Sequence, residues 1–323
     1  MNYESHINHT AEELIENLEK RDIIDITEWL SYWSIDSMNN IAFSSGLGFM
    51  KHAADVGGTL RTVRAATSIL MYVAAFPTVF MWFVWALSLV TGPSGKLVGM
   101  CLERVDSRME KEKEEKPARN KGDLLDVYLK ARQQQPSLFS HERVIGMTFT
   151  TILAGSDTTG FNLTWTIYYL LKHPASLRSL REEIDQAVLE GTLSYPPTLK
   201  DLSNLPYLEA VIKEGLRYAM LLQLSMDRVV PKGGIDICGY HIPEGITVGC
   251  QSRIIHLDKS VYGDDAEKFR PERWLEASEE KRKLMERCGI WFGSGKHTCI
   301  GQHFAWAKTM KVLAMMLMKV DVS

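Results

Sequence analysis

The stretch FGSGKHTCIG, residues 292–301, decides how this chain is read. It sets two glycines, a histidine and a cysteine between two apolar side chains, Phe292 and Ile300, with a third glycine, Gly301, just after. In a core helix each glycine would cost about 1 kcal/mol against alanine, and a solvated loop gains nothing from Phe292 and Ile300. Glycine alone removes the Cβ, so the segment is suited to bring backbone close to something flat or bulky. A phosphate loop is excluded, because Ile290 stands where the first glycine belongs and His297 where Ser or Thr should follow Gly295-Lys296. A dinucleotide fingerprint is excluded too, since Thr298 replaces its third glycine and no strand clearly precedes it.

Two metal readings remain. Cys288, His297, Cys299 and His303 offer four ligands for zinc, but at the spacing of no familiar module, and zinc leaves the glycines unexplained. The other is one thiolate on a haem iron. Cys299 lies just before an expected helix, whose free N–H groups and dipole favour a charged sulfur. Gly301 would let backbone pass a porphyrin face, Gly293 and Gly295 would let the loop turn tightly, and Phe292 would shield the sulfur. This reading accounts for each unusual feature.

Outward from that loop the chain reads as mainly helical with a small antiparallel β part. Helices are expected over residues 26–43, 97–109, 175–190, 205–220 and 302–320, and the polar opening residues form an amphipathic helix rather than a signal peptide. Ser140 can cap a long helix over residues 140–171, apolar nearly all round and so expected to be buried. IDICGYHIPEGITVGC alternates between turn signals and reads as a small sheet. The charge run 109–123 reads as a solvated connection. Residues 65–95 hold no charge, and 69–90 is long enough to span a bilayer, although Pro77 favours two buried or interfacial helices. A net charge of −3 gives no reason to expect nucleic acid. Five unpatterned cysteines argue for a reducing compartment.

Two more stretches stand out. AGSDTTG, residues 154–160, puts two glycines, a charge and two threonines in the middle of the long helix. It is either a packing notch or a functional site, where local rules are commonly broken. EGLR places Glu214 and Arg217 three apart on one helix face, with apolar flanks that suit a buried ion pair completed by Arg273.

Together FGSGKHTCIG, AGSDTT, EGLR and FRPERW resemble, in order and spacing, the four signature segments of the cytochrome P450 family. DITEWLSYWSIDSMNNIAFSSGLGF, from Asp25, resembles fungal members of the pisatin-demethylase-like kind. The resemblance spans residues 1–323 as a single, partial domain. It implies heme b with Cys299 as axial thiolate. His297 and Arg228 would bind propionates, and Phe292, Gly295 and Gly301 would shape the loop. Asp157 and Thr158 would organise water and deliver protons. Glu214, Arg217 and Arg273 would form a structural triad. The resemblance further implies a monooxygenase acting on a lipophilic small molecule with O2 and an NADPH–cytochrome P450 reductase. It would serve fungal secondary metabolism at the cytosolic face of the endoplasmic reticulum membrane. Residues 65–95 would be a roof over the substrate pocket that touches the membrane surface. Family members usually begin with an anchor, a sheet-forming region and a further propionate-binding helix, and end in a hairpin. The chain lacks these, so the rival expectation is a truncated, non-catalytic remnant with weak or no haem binding.

Overall fold

A computed structural model of the chain describes residues 3–61, 64–65, 82, 96–114, 122–219 and 225–321. The fold is mainly helical with small antiparallel sheets, as expected, and it falls into two compact units. The first holds Met1–Thr164, Tyr195–Leu199 and Lys311–Asp321; the second holds Trp165–Ser194 and Lys200–Met310, with the last two residues.

The first unit is built around α2 (Ile26–Phe43), buried at every position from Trp29 to Phe43. Asp25 starts it by accepting from the N–H groups of Thr27 at 2.9 Å and Glu28 at 3.3 Å, a cap worth about 1 kcal/mol. Ser44 ends it in the left-handed conformation. Asp36 then folds the following segment back, accepting from the N–H groups of Leu47, Gly48 and Met50 at 2.7–2.9 Å. α1 (Glu4–Glu19) lays Ile7, Ala11, Leu14, Ile15 and Leu18 against α2, one stripe at helical spacing. Burying each larger side chain stabilises the fold by about 2 kcal/mol. Also in this unit are α3 (Lys96–Glu114), α4 (Leu124–Gln134) and most of α5 (His141–Lys172). Ser140 begins α5 as expected, its Oγ accepting from the Arg143 N–H at 3.3 Å.

The second unit contains α6 (Pro174–Leu189), α7 (Pro206–Ala219), α8 (Glu279–Cys288) and the first half of α9 (Gln302–Lys319). Its core gathers Ala210, Val261, Tyr262, Ala266, Trp274 and Met285. The expected sheet is two separate ribbons. β1 (Arg228–Val229) pairs with β4 (Thr247–Val248), and β2 (Ile235–Ile237) pairs with β3 (Tyr240–Ile242), both antiparallel. Cys238 and Gly239 make the hairpin turn with positive φ, as a tight two-residue connection requires.

Two expectations need correcting. α5 is not buried all round: Ala154, Phe161, Tyr168 and Leu171 are exposed at helical spacing while Ile152, Ser156, Thr159 and Leu163 are buried. The charge run 109–123 is not wholly a connection, because α3 continues to Glu114. Of the uncharged run 65–95, only Ala65 and Trp82 are described, and the rest lies outside the described residues. Among the described residues no helix is long and apolar enough to cross a membrane.

Candidate active site

In the second unit the glycine loop turns as its sequence demands. Gly293 (φ +74°) and Gly295 (φ +64°) occupy the left-handed region that other residues avoid. A Cβ at Gly293 would stand 3.1 Å from the His297 carbonyl oxygen, so the position also requires close approach. The Cys299 N–H donates to the Phe292 carbonyl at 2.7 Å and closes the loop. Phe292 is half-buried. Beyond it Cys299 is exposed and Ile300 is 99% exposed, immediately before α9. Gly301 has ordinary backbone geometry; its missing Cβ would lie 3.8 Å from the Cys299 sulfur. What that glycine leaves open is therefore the space beside the thiol. The zinc reading fails: among the described residues no three His, Cys, Asp or Glu side chains gather as a ligand set, so Cys288 and His303 do not join Cys299 and His297.

The same unit assembles Glu214, Arg217 and Arg273, all buried. Arg217 donates to both Glu214 oxygens, from Nε at 2.9 Å and from a terminal nitrogen at 2.7 Å. Its other terminal nitrogen donates to the carbonyls of His256 at 2.6 Å and Ala266 at 2.7 Å. Arg273 Nε donates to Glu214 at 3.0 Å, and its terminal nitrogens reach Asp265 and the Lys268 carbonyl. Every charge in the cluster is paired and hydrogen-bonded, the condition under which a buried ion pair is tolerated. Sequence reasoning missed two members. Trp274 Nε1 donates to Glu214 at 3.0 Å, and Asp265 bridges Arg273 and Arg270. Burial pushes the Asp265 carboxyl up, but the hydrogen bonds and charges of Arg273 and Arg270 outweigh it and hold the group below the usual range. The tryptophan closing FRPERW was the available signal. Arg228 and His297 are exposed; Arg228 bonds the neighbouring Asp227 carbonyl at 2.7 Å.

In the first unit the glycines of AGSDTTG form a packing notch. A Cβ at Gly155 would stand 2.7 Å from the Met38 sulfur, and one at Gly160 would stand 3.2 Å from the Leu30 carbonyl oxygen. Both glycines thus let α5 sit close on α2. Ser34 Oγ locks the contact by donating to the Ser156 carbonyl at 2.5 Å. With that face occupied, Thr158 lies on the open side with Ala154 and Phe161, and its hydroxyl donates to the Ala154 carbonyl at 2.7 Å. Asp157 beside it is half-buried.

The family model for cytochrome P450 matches residues 1–323. The chain belongs to the cytochrome P450 family. Among its curated relatives are cytochrome P450 monooxygenases of fungi. That of Aspergillus fumigatus named easK is 37% identical, covering 89% of this chain and 80% of its own. One from Aspergillus terreus is 33% identical over the whole of this chain and 68% of its own. One from Alternaria alternata is 32% identical over 92% of this chain and 80% of its own.

A P450 of this family implies a haem held by a cysteine thiolate, and the residues present fit such a group. The Cys299 thiol is exposed, and Gly301 leaves a cradle beside its sulfur that any Cβ would fill. The helix that starts at Gln302 favours negative charge at the preceding sulfur. Arg228 is exposed and positively charged, the donor type that carboxylates of a bound group require.

Proposed function

We propose that this P450 is a haem-thiolate monooxygenase that hydroxylates or otherwise oxidises a lipophilic small molecule in fungal secondary metabolism. Its electrons would come from an NADPH–cytochrome P450 reductase. The observation that carries the proposal is the exposed Cys299 thiol, fixed by a glycine loop that leaves room beside the sulfur. The fungal origin of the relatives supports the metabolic setting. The uncharged run 65–95 supports an apolar substrate and contact with a membrane surface. Family membership is the support for a place at the cytosolic face of the endoplasmic reticulum. The rival reading, a non-catalytic remnant, finds no support in relatives that are named as monooxygenases.

Cys299 would hold the iron of heme b, and His297 and Arg228 would hold its propionates. When bound, the haem supplies the chemistry of O2 activation. The rest falls to the chain. Gly293 and Gly295 fix where the loop turns, and Phe292 would shield the sulfur of the bound thiolate. Thr158 spends its one O–H on the Ala154 carbonyl, which leaves the oxygen lone pairs to accept from a water on the open face of α5. The Asp157 carboxyl, one residue away, takes and gives the proton. Glu214, Arg217 and Arg273 touch no reacting atom and serve as scaffold.

The test is reconstitution of the haem-loaded full chain with the reductase, NADPH and a panel of apolar aromatic and isoprenoid compounds. At least one compound should drive NADPH use and gain one oxygen atom from labelled O2. Thr158→Ala should keep its haem but give about a hundredfold less product per NADPH, the low end for losing proton-transfer support. Haem-loaded protein that is reduced normally yet transfers no oxygen to any compound would contradict the reading.

A further inference from the structure

The cysteine loop curls on itself through bonds that do not attach it to the core. Thr298 donates to the Gly295 carbonyl from its N–H at 3.1 Å and from its hydroxyl at 2.8 Å, both bonds internal to the loop. Residues 294–297 are exposed, and so is Cys299. What reaches the core is the short 3-10 turn Ile290–Phe292 at the start of the loop. The Gly293 N–H closes that turn on the Ile290 carbonyl at 2.9 Å, and the Phe292 carbonyl takes the Cys299 N–H at 2.7 Å. The turn therefore sets where the Cys299 backbone stands.

Trp291, in the middle of this turn, packs its ring against the core of the second unit. It meets Trp274 nearly edge to face, with centroids 5.9 Å apart and planes at 75°, and its centroid lies 5.7 Å from that of His256. Trp274 is 2% exposed, and its Nε1 donates to Glu214 at 3.0 Å. Gly289 makes room for the Trp291 ring. Its backbone is ordinary, at φ −76°, yet a Cβ there would overlap the six-membered ring of the indole. The indole, not the turn, requires that glycine. A continuous path thus runs from the Glu214 carboxylate through two indoles to the Phe292 carbonyl and the Cys299 N–H. Edge-to-face rings hold a preferred mutual orientation as well as burying area, so the path transmits position.

We infer that Trp291 is a positioning residue: its indole, seated on Trp274 in the space that Gly289 leaves, holds the Cys299 loop in register with the buried Glu214 cluster. The inference rests on the monooxygenase reading for the purpose of that register, a sulfur held ready for iron, but not for the attachment itself. Trp291 acts through the loop and not on a reacting atom. With the indole removed, the turn keeps its hydrogen bonds but loses its seat. Cys299 then samples positions in which its sulfur takes a proton from solvent and gives up the charge that ligation needs.

Hydrogen exchange followed by mass spectrometry on the haem-loaded full chain tests this. In Trp291→Leu the peptide covering residues 292–301 should exchange about fivefold faster, the scale of one lost edge-to-face pair. Peptides of α7, which carries Glu214 and Arg217, should keep wild-type rates. In the reduced carbon-monoxide spectrum, part of the Soret band should move from the thiolate-ligated to the thiol-ligated position. Trp291→Phe, which keeps a ring edge for Trp274, should recover most of both effects. Gly289→Ala, which keeps Trp291 but fills its seat, should reproduce them, and it carries the comparison if Trp291→Leu fails to fold. Wild-type exchange of the loop in these variants overturns the inference. So does equal acceleration in the loop and in α7, the mark of lost core packing alone. A wild type without the thiolate-ligated band would sink the monooxygenase reading, while loop exchange in the same full chain still decides the attachment.

Discussion

At Glu214 one buried carboxylate accepts five hydrogen bonds, from Arg217, Arg273, Trp274 and the Arg270 N–H. Glu214→Gln would keep the shape and remove the charge that neutralises two buried guanidiniums. The expected cost is about 3–5 kcal/mol, read as a lower urea midpoint and lower haem content. His256 is a second residue with a definite consequence. It is 1% exposed, neither ring nitrogen has a partner among the described residues, and its ring lies against Trp291 and Tyr262. Burial and then the Arg217 charge lower its pKa from 6.5 to about 4. Between those values the unfolded chain binds a proton that the folded chain refuses, so stability present above pH 6.5 is lost as pH falls toward 4. The loss attributable to this residue between pH 6.5 and 5 is about 2 kcal/mol. Urea titrations should therefore show the wild type losing about 2 kcal/mol relative to His256→Phe as pH is lowered from 7 to 5. Parallel curves would contradict the account. The Glu214–Arg217 spacing was readable because both lie on one helix. Asp265 was not, because its role depends on how the segment after α7 folds back.

At the scale of elements, α2 and α5 show what pattern can and cannot reveal. Their positions were legible locally, α2 from apolar residues at helical spacing and α5 from the cap at Ser140. The depth of their contact was not, because it is set by glycines whose meaning lies on the partner helix. Gly160→Ala would press a methyl to 3.2 Å from the Leu30 carbonyl oxygen, backbone that cannot rotate away. The expected cost is about 1–3 kcal/mol, with haem affinity affected less than stability. Gly215 repeats the lesson on α7, where a Cβ would meet Thr166 Oγ1 at 2.3 Å. The open stripe of Ala154 and Phe161, with half-buried Thr158 between them, was expected to be buried for a related reason. Apolar composition reports that a face avoids water, but not whether protein or a bound group covers it.

At the scale of the molecule, each compact unit carries its own share of the residues proposed for the chemistry. Asp157 and Thr158 belong to the first; Cys299, His297, Arg228 and the triad belong to the second. Changes in the first unit should therefore alter how reduction is coupled to product, while changes at Cys299 should abolish the bound group's signature. The most direct measurement is the reduced carbon-monoxide difference spectrum of the full chain expressed with haem precursor. It should be recorded beside Cys299→Ala and, as a control, Cys288→Ala. The account predicts a Soret band at the thiolate-ligated position in the wild type and in Cys288→Ala, lost in Cys299→Ala. A wild-type chain without that band, or a Cys299→Ala variant that keeps it, would contradict the claim that Cys299 holds the iron.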